Sequence, residues 1–536
     1  MSGLEWVAAA ILLTASAAAM LPASKRLMQY YQLGSYQFGA FARTFRRQTK
    51  KCLWPGLILG LVSALLVLAV IPALGWAPVP AMIFALFIAV LILLAGYVIG
   101  LISYHEKKVK TRLVITTRVK RLYMALMLVG LLLSFLLLWQ ARQFWLPALI
   151  PFLMPLWLIL AAFIMWPVEK GIQLLYRHDA KRILDDYRAT GLSIIGITGS
   201  YGKTTVKNIL AAMLSQRYLT LASPASFNTP MGLARCIREE LGQQHLFFIA
   251  EMGARHPHDI QALSRFIRPH AGILTSIGPQ HLETMGSIQQ IGDAKYDLIR
   301  GLPPDGFAVF NFDGKYVSEY YEKTSIPKAL AGIPGSDLWA EDLDLYPEGS
   351  RFILCLPSGE RVACETRLAG DHNVRNILLA ALMAMHYGIT PGQIRNALVT
   401  VNPPASRLQV TMHGKGYKVI NNGFNSNPDS SRKALQVLSS HPGRHIVVTP
   451  GFIELGRQEE QSNRRLGNDI AAVAQEILLV GEKHTRPIRE GLLESGMAEG
   501  NIHVFPSLAQ ANEFIQESCG PGDVVLYEND LPDHYS

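Results

Sequence analysis

A chain of 536 residues, half of them hydrophobic and with a formal net charge of +9, is too long for one domain and too apolar for an ordinary soluble enzyme. Its five cysteines (52, 236, 355, 364 and 519) form no CxxC pair and no cluster with histidine, which argues against a disulfide scaffold or a zinc site and for reduced thiols. The positive charge has a local explanation that leaves no separate case for nucleic acid, because fourteen basic residues fall in two segments between apolar runs.

Five runs, near 4–22, 54–76, 81–103, 122–140 and 145–166, approach or exceed the roughly 20 apolar residues that cross a hydrocarbon core as helix. The first begins "MSGLE", with Glu5 and no basic residue, so it reads as a retained helix rather than a secretory signal. Residues 23–53 carry seven lysines and arginines and no acid; residues 104–121 carry seven against Glu106 alone. The other two connections, "APVP" and "ARQF", hold one arginine between them. Positive charge stays cytoplasmic, which predicts a multi-pass inner-membrane domain over 1–167, its N-terminus outside and everything after it in the cytoplasm. The cores of the apolar runs contain no charge, which disfavours an ion or proton path. Residues 168–192 read as an amphipathic linker helix.

From 193 the pattern changes. "SIIGIT", "HLFFIAEM", "AGILTSIG" and "GFAVFNFD" alternate with helical stretches, predicting a mostly parallel α/β domain over 193–404. A hairpin is expected at 351–365, where Cys355 and Cys364 flank the turn, and a helix at 373–387. After the Pro-rich break "TVNPPASRLQV" the alternation resumes, giving a second α/β domain over 405–536.

Between "SIIGIT" and the helix "VKNILAAML" stands "GSYGKTT". Gly199 and Gly202 let the backbone curl so that N–H groups face phosphate oxygens at a helix N-terminus. Lys203 can reach the β and γ phosphates, and the Thr204 hydroxyl can bind Mg²⁺. The spacing is GxxGKT, not GxxxxGK, since residue 197 is Ile. Glu251 ends a predicted strand, where a carboxylate can take a second metal position. His281 falls in the loop after the next strand, Lys295 on the following helix, and Asn376 in the first turns of the helix after "AGDHN". Taken singly, these read as a strand-end cap, a surface-loop histidine and an exposed helix lysine.

Together, in the order "ITGSYGKTT", "FNTPMG", "AEMGARHPHDI", "SIGPQHLETMGSIQQIGDAKYDLI", "NFD", "AGDHNVRN", "NNGFNSNPDS" and "PGFIELG", they carry a resemblance over about 340 residues. The chain from 193 onward resembles the Mur ligases, and among them the D-alanyl-D-alanine-adding branch. The resemblance implies a central P-loop ATPase domain, a C-terminal Rossmann-like domain, and the cofactors ATP and Mg²⁺. It also implies an ADP-forming ligase that joins an amino acid or dipeptide to a carboxylate through an acyl phosphate. By the same resemblance Gly199, Ser200, Gly202, Lys203, Thr204 and Thr205 cradle the nucleotide, and Asn376, Arg407 and Asn421 contact it. Thr204 and Glu251 hold one Mg²⁺, His281 lies at a second, and Lys295 is the lysine that CO₂ carbamylates into a carboxylate-like ligand. Lys203, His281 and Lys295 are the expected catalytic residues.

Three departures stand out. Asn421 and Asn422 occupy the place of paired aspartates, the chain ends "YENDLPDHYS" where the family ends in a Lys-Gly-Ser-type segment, and the family's N-terminal UDP-binding domain has no counterpart. The apolar runs stand in its place, which raises the expectation of a lipid-linked or exported acceptor and contact with membrane lipids. The competing expectations are a plain membrane anchor on an enzyme for the soluble precursor, and a nucleotide-binding membrane scaffold without ligase activity.

Overall fold

The computed structural model describes residues 113–141 and 154–529, apart from 225–226, 281, 313–315, 347–348, 403–408, 424–427, 454, 456–457 and 483, together with scattered positions between 7 and 94. The chain divides into two compact units, one ending at Gln173 and the other running from Leu174 to Leu531.

In the first unit, helix α1 (Thr117–Ala141) and the start of helix α2 (Met154–Ala189) enclose a small core of Leu27, Met28, Tyr31, Val119, Leu126, Trp157, Leu158 and Ala161. Their outer faces stay apolar and exposed: Met124, Leu128, Leu132 and Phe135 on α1, Leu156, Ile159, Phe163 and Trp166 on α2. Among the described residues one helix, Leu156–Ala189, is long and apolar enough to cross a membrane, by length and composition alone. The expected run at 122–140 falls within α1, and the run at 145–166 enters α2; the first three lie almost wholly outside the described residues. The boundary expected at 167/168 falls within a continuous helix. α2 passes through Pro167 without a break, and the compact units part at 173/174. Composition changes there while the backbone continues.

Among the described residues, the second unit holds two six-stranded sheets and one of three strands. The first sheet has the order β2-β3-β1-β4-β5-β6, all parallel, from β1 (Ser193–Thr198), β2 (Thr220–Ala222), β3 (Phe247–Glu251), β4 (Ala271–Leu274), β5 (Phe307–Asn311) and β6 (Lys328–Ala331). Its strands are buried on both faces, so they read as continuous apolar runs. Between them run α3 (Lys203–Leu214), α4 (Pro230–Glu239), α5 (Asp259–Ile267), α6 (Ile288–Arg300) and α7 (Val317–Lys323). Ile195 and Ile197 point to the face covered by Val206, Ile209 and Met213 of α3. Ile194 and Phe248 point to the other, covered by α4, α5, α6 and, from the end of α2, Ala180 and Leu184. Arg238 donates to Asp179 at 2.6 Å, fastening α4 to α2. Within the expected linker helix, Ala180 and Leu184 thus pack into this core.

The expected hairpin is a three-stranded antiparallel sheet, because β7 (Trp339–Tyr346) joins β8 (Gly349–Cys355) and β9 (Arg361–Thr366). Cys364 lies opposite Phe352 and Cys355 opposite Arg361, so the cysteines do not face each other; the four described cysteines are free thiols. Helix α8 (Asp371–His386) follows and buries Val374, Ile377 and Leu378 against α3; α9 (Pro391–Thr400) starts with a capping box between Thr390 and Gln393.

The second sheet has the order β10-β11-β15-β12-β13-β14, parallel except for β10. Its strands are β10 (Gln409–Met412), β11 (Lys418–Asn422), β12 (His445–Thr449), β13 (Glu476–Val480), β14 (Ile502–Phe505) and β15 (Val524–Glu528). Helices α10 (Pro428–Ser439), α11 (Glu459–Ala471), α12 (Arg486–Glu494) and α13 (Leu508–Ser518) connect them.

Two of the departures from the family pattern meet here. Asn422 is paired in register with Glu528, and its amide donates to the fully buried Glu528 carboxylate at 2.8 Å. Asn529 continues the tie: its N–H donates to Asn422 O and its side chain to Gly451 O. An amide is the neutral donor that a buried carboxylate accepts beside it, whereas a second carboxylate there repels. Asn422→Asp is expected to lower the thermal midpoint by the equivalent of about 2–3 kcal/mol. The double variant Asn422→Asp/Glu528→Lys, which restores opposite charges, is expected to melt above the single; calorimetry of the two checks this.

Candidate active site

The loops after β1, β3 and β4 lie side by side because β1 is the central strand, flanked by β3 and β4. Above the β1 end the chain turns through Gly199 (φ +151°) and Gly202 (φ +80°) into α3. Neither position has room for a side chain. A Cβ at Gly199 would lie 1.9 Å from Thr275 Oγ1, and one at Gly202 would lie 2.5 Å from Asn376 Oδ1. That second approach places Asn376, from the second turn of α8, directly against the loop.

The turn is held from the β4 side. Ser200 N–H donates to Ser276 O at 2.8 Å, Tyr201 N–H donates to Ser276 Oγ at 2.9 Å, and Ser200 Oγ donates to Gly278 O at 3.0 Å. Thr275 Oγ1 donates to Tyr201 O. Ser200 is buried by these contacts, so its hydroxyl locks the loop shape. Lys203 folds back along the loop, donating to Gly199 O at 2.7 Å and Ser200 O at 3.2 Å. α3 opens with no side-chain cap, and the first-turn amides of a helix have no intrahelical acceptor. A cradle with a lysine across it and a helix N-terminus beneath it suits phosphate.

Glu251 ends β3 and is only 2% exposed. Its Oε2 accepts from Thr204 Oγ1 at 2.8 Å and from Lys207 Nζ at 3.3 Å; its Oε1 accepts from Asn228 Nδ2 at 3.3 Å. Burial works to raise its pKa. The charges of Lys203 and Lys207, with the bonds from Thr204 and Asn228, outweigh burial and hold the carboxyl below its ordinary range. Thr204 and Glu251 together offer hard oxygen donors that fit Mg²⁺ sharing its other positions with phosphate and water. No group of three or more His, Cys, Asp or Glu side chains able to hold a metal occurs among the described residues.

Lys295 sits two turns into α6, behind the Ser287 cap, which accepts from Gln290 N–H. The reading as an exposed helix lysine is overturned: Lys295 is 3% exposed, and its Nζ donates to Gly199 O at 3.1 Å. No carboxylate pairs with it among the described residues. Burial, reinforced by the Lys203 charge, pushes its pKa well below the ordinary value.

The structure thus brings together Gly199, Ser200, Gly202, Lys203, Thr204, Glu251, Lys295 and Asn376. Thr205 is buried in the first turn of α3. Asn421 lies near the end of β11, where its Oδ1 accepts from Gly423 N–H within its own turn, away from this cluster of contacts. His281 and Arg407 lie outside the described residues. Sequence reasoning gave no role to Lys207, Asn228, Thr275 or Ser276. Lys207 reads there as one more helix lysine; Asn228 was inside "FNTPMG", a matching stretch to which no chemistry was attached.

Known proteins match this half of the chain. Residues 197–384 match the Mur ligase middle domain, and 406–527 match the family described as Mur ligase, glutamate ligase domain. A UDP-N-acetylmuramoyl-tripeptide–D-alanyl-D-alanine ligase of Mycobacterium tuberculosis is 37% identical over 362 residues, covering 63% of this chain and 70% of its own. The enzyme of that name from Bacillus subtilis is 27% identical over 351 residues, covering 63% and 73%. The crystal structure of MurF from Acinetobacter baumannii superposes with a TM-score of 0.60 at 27% identity, over 67% of this chain and 78% of its own. MurF from Thermotoga maritima, solved with ADP, shares the fold with a TM-score of 0.59 at 21% identity, over 68% and 81%. Two domain matches in the family's order, over the residues that build the loop and its carboxylate, place this chain in the Mur ligase family as a Mur-type ligase.

Proposed function

We propose that this ligase joins an amine of the D-alanyl-D-alanine type to a muramoyl-peptide carboxylate, with ATP and Mg²⁺, at the inner face of the plasma membrane. The observation that carries the reading is the convergence of Lys203, Thr204, Glu251 and Lys295 on one glycine turn. A carboxylate is a poor electrophile, and ATP supplies the phosphoryl group that converts it to an acyl phosphate, which the amine then attacks. The protein contributes position and charge. Lys203, released from the loop carbonyls, neutralises charge on the migrating phosphoryl group, while the α3 amides hold its neighbours. Thr204 and Glu251 would hold Mg²⁺, which offsets phosphate charge. Asn376, His281, Arg407 and Asn421 are assigned to the nucleotide and the second metal by the resemblance.

Lys295 is suited to carbamylation. A lysine whose pKa burial lowers gives up its ammonium proton more readily, and the amine then attacks CO₂, forming an N–C bond and releasing a further proton, so an anion replaces the cation. The mismatch of a lysine beside Lys203 is thereby removed. Turnover is expected to fall in CO₂-depleted buffer and recover with bicarbonate, while Lys295→Arg stays inactive in both. Lys203→Ala is expected to lower kcat by about 10²–10³-fold, the usual loss for one donor to transition-state charge.

The membrane attachment rests on the apolar runs, the basic segments between them and the exposed apolar faces of α1 and α2. With those helices where the UDP-binding domain would stand, a lipid-linked acceptor is the substrate this reading favours. Phosphate release by the full-length protein with ATP, Mg²⁺ and D-alanyl-D-alanine tests it, with UDP-muramoyl tripeptide and its lipid-linked counterpart compared as acceptors. Turnover restricted to the lipid-linked acceptor is the expected result. Turnover with the UDP precursor alone reduces the first unit to an anchor, and none with either overturns the proposal.

A further inference from the structure

We propose that Lys207 is the built-in counter-ion of Glu251, holding the carboxylate in place before the metal arrives and setting how tightly the metal binds. The inference rests on the reading of Thr204 and Glu251 as Mg²⁺ ligands. Lys203 and Lys207 are four residues apart on α3 and so share a face of the helix. They divide the work. Lys203 turns outward along the phosphate loop, and Lys207 turns inward, 1% exposed, to donate to Glu251 Oε2 at 3.3 Å. Asn228 holds the other oxygen.

A buried carboxylate without a cation is costly, so a Mur-type site that must exist before Mg·ATP binds needs a resident positive charge. Lys207 supplies it from a rigid helix. The same charge sits on the oxygen that faces Thr204, so it opposes an incoming dication. Lys207 is therefore a positioning residue that exchanges metal affinity for a preformed site.

The test uses the full-length protein in detergent and reads stability and metal affinity besides turnover. Lys207→Met keeps an unbranched side chain one atom shorter than lysine and removes the charge. In EDTA its melting temperature is expected to fall, and Lys207→Met/Glu251→Gln to recover more than half of the loss. Titration with MgCl₂ in the presence of ADP, followed by melting temperature, is expected to give an apparent Kd for Mg²⁺ about tenfold lower in Lys207→Met than in the parent, with reduced kcat. A parent that responds to Mg²⁺ with Lys207→Met responding at the same concentrations overturns the counter-ion role alone. A parent with no Mg²⁺ response overturns the metal assignment as well. A double variant no more stable than Lys207→Met shows that the loss came from packing and also overturns it.

Discussion

A carboxylate buried at the end of β3 is the constraint on which the catalytic domain depends. Glu251 has almost no access to water, so every polar neighbour must answer its charge. Thr204 and Lys207 answer it from α3, Asn228 from the segment before α4, and the N–H of Glu251 is itself bonded to Ser223 Oγ at 3.1 Å. Three stretches of chain are thereby drawn to one point. The glycine loop leads into the same helix that carries two of those partners, so its position relative to the Glu251 carboxylate is set by the fold.

The second constraint is steric. Gly199 and Gly202 have left-handed backbone angles, with Thr275 and Asn376 occupying the space their side chains would need. The loop is therefore packed from both sides, by the β4 end and by α8, and its shape needs no ligand. This is the preorganisation that phosphoryl transfer requires, where little covalent work falls to side chains. Lys295 is buried against the turn, donating to Gly199 O, and that burial pushes its pKa below the ordinary lysine range.

Departures from the family pattern that look independent along the chain are one contact in space. Asn422 and Glu528 are 106 residues apart and adjacent in register on β11 and β15. Amide and carboxylate complement each other there.

Much of this was legible in the sequence because it is local. A parallel strand buried on both faces writes a continuous apolar run, so β1, β3, β4 and β5 were readable, as were the glycine turn and the strand end that carries Glu251. The short strands β2 and β6 carry too few residues to show a pattern, and β7 alternates only over Asp342–Leu345, where both leucines are exposed and mark no buried face. The expected limit at 167/168 followed the change in composition, and the helix Met154–Ala189 runs through it. What only the tertiary structure decided was which side chains are buried and what they face. Lys207 looks like an ordinary helix lysine in the sequence, and Lys295 stands out there only through the family resemblance. Their roles follow from distances to Glu251 and Gly199 across 44 and 96 residues, and no pattern within one element encodes such a distance.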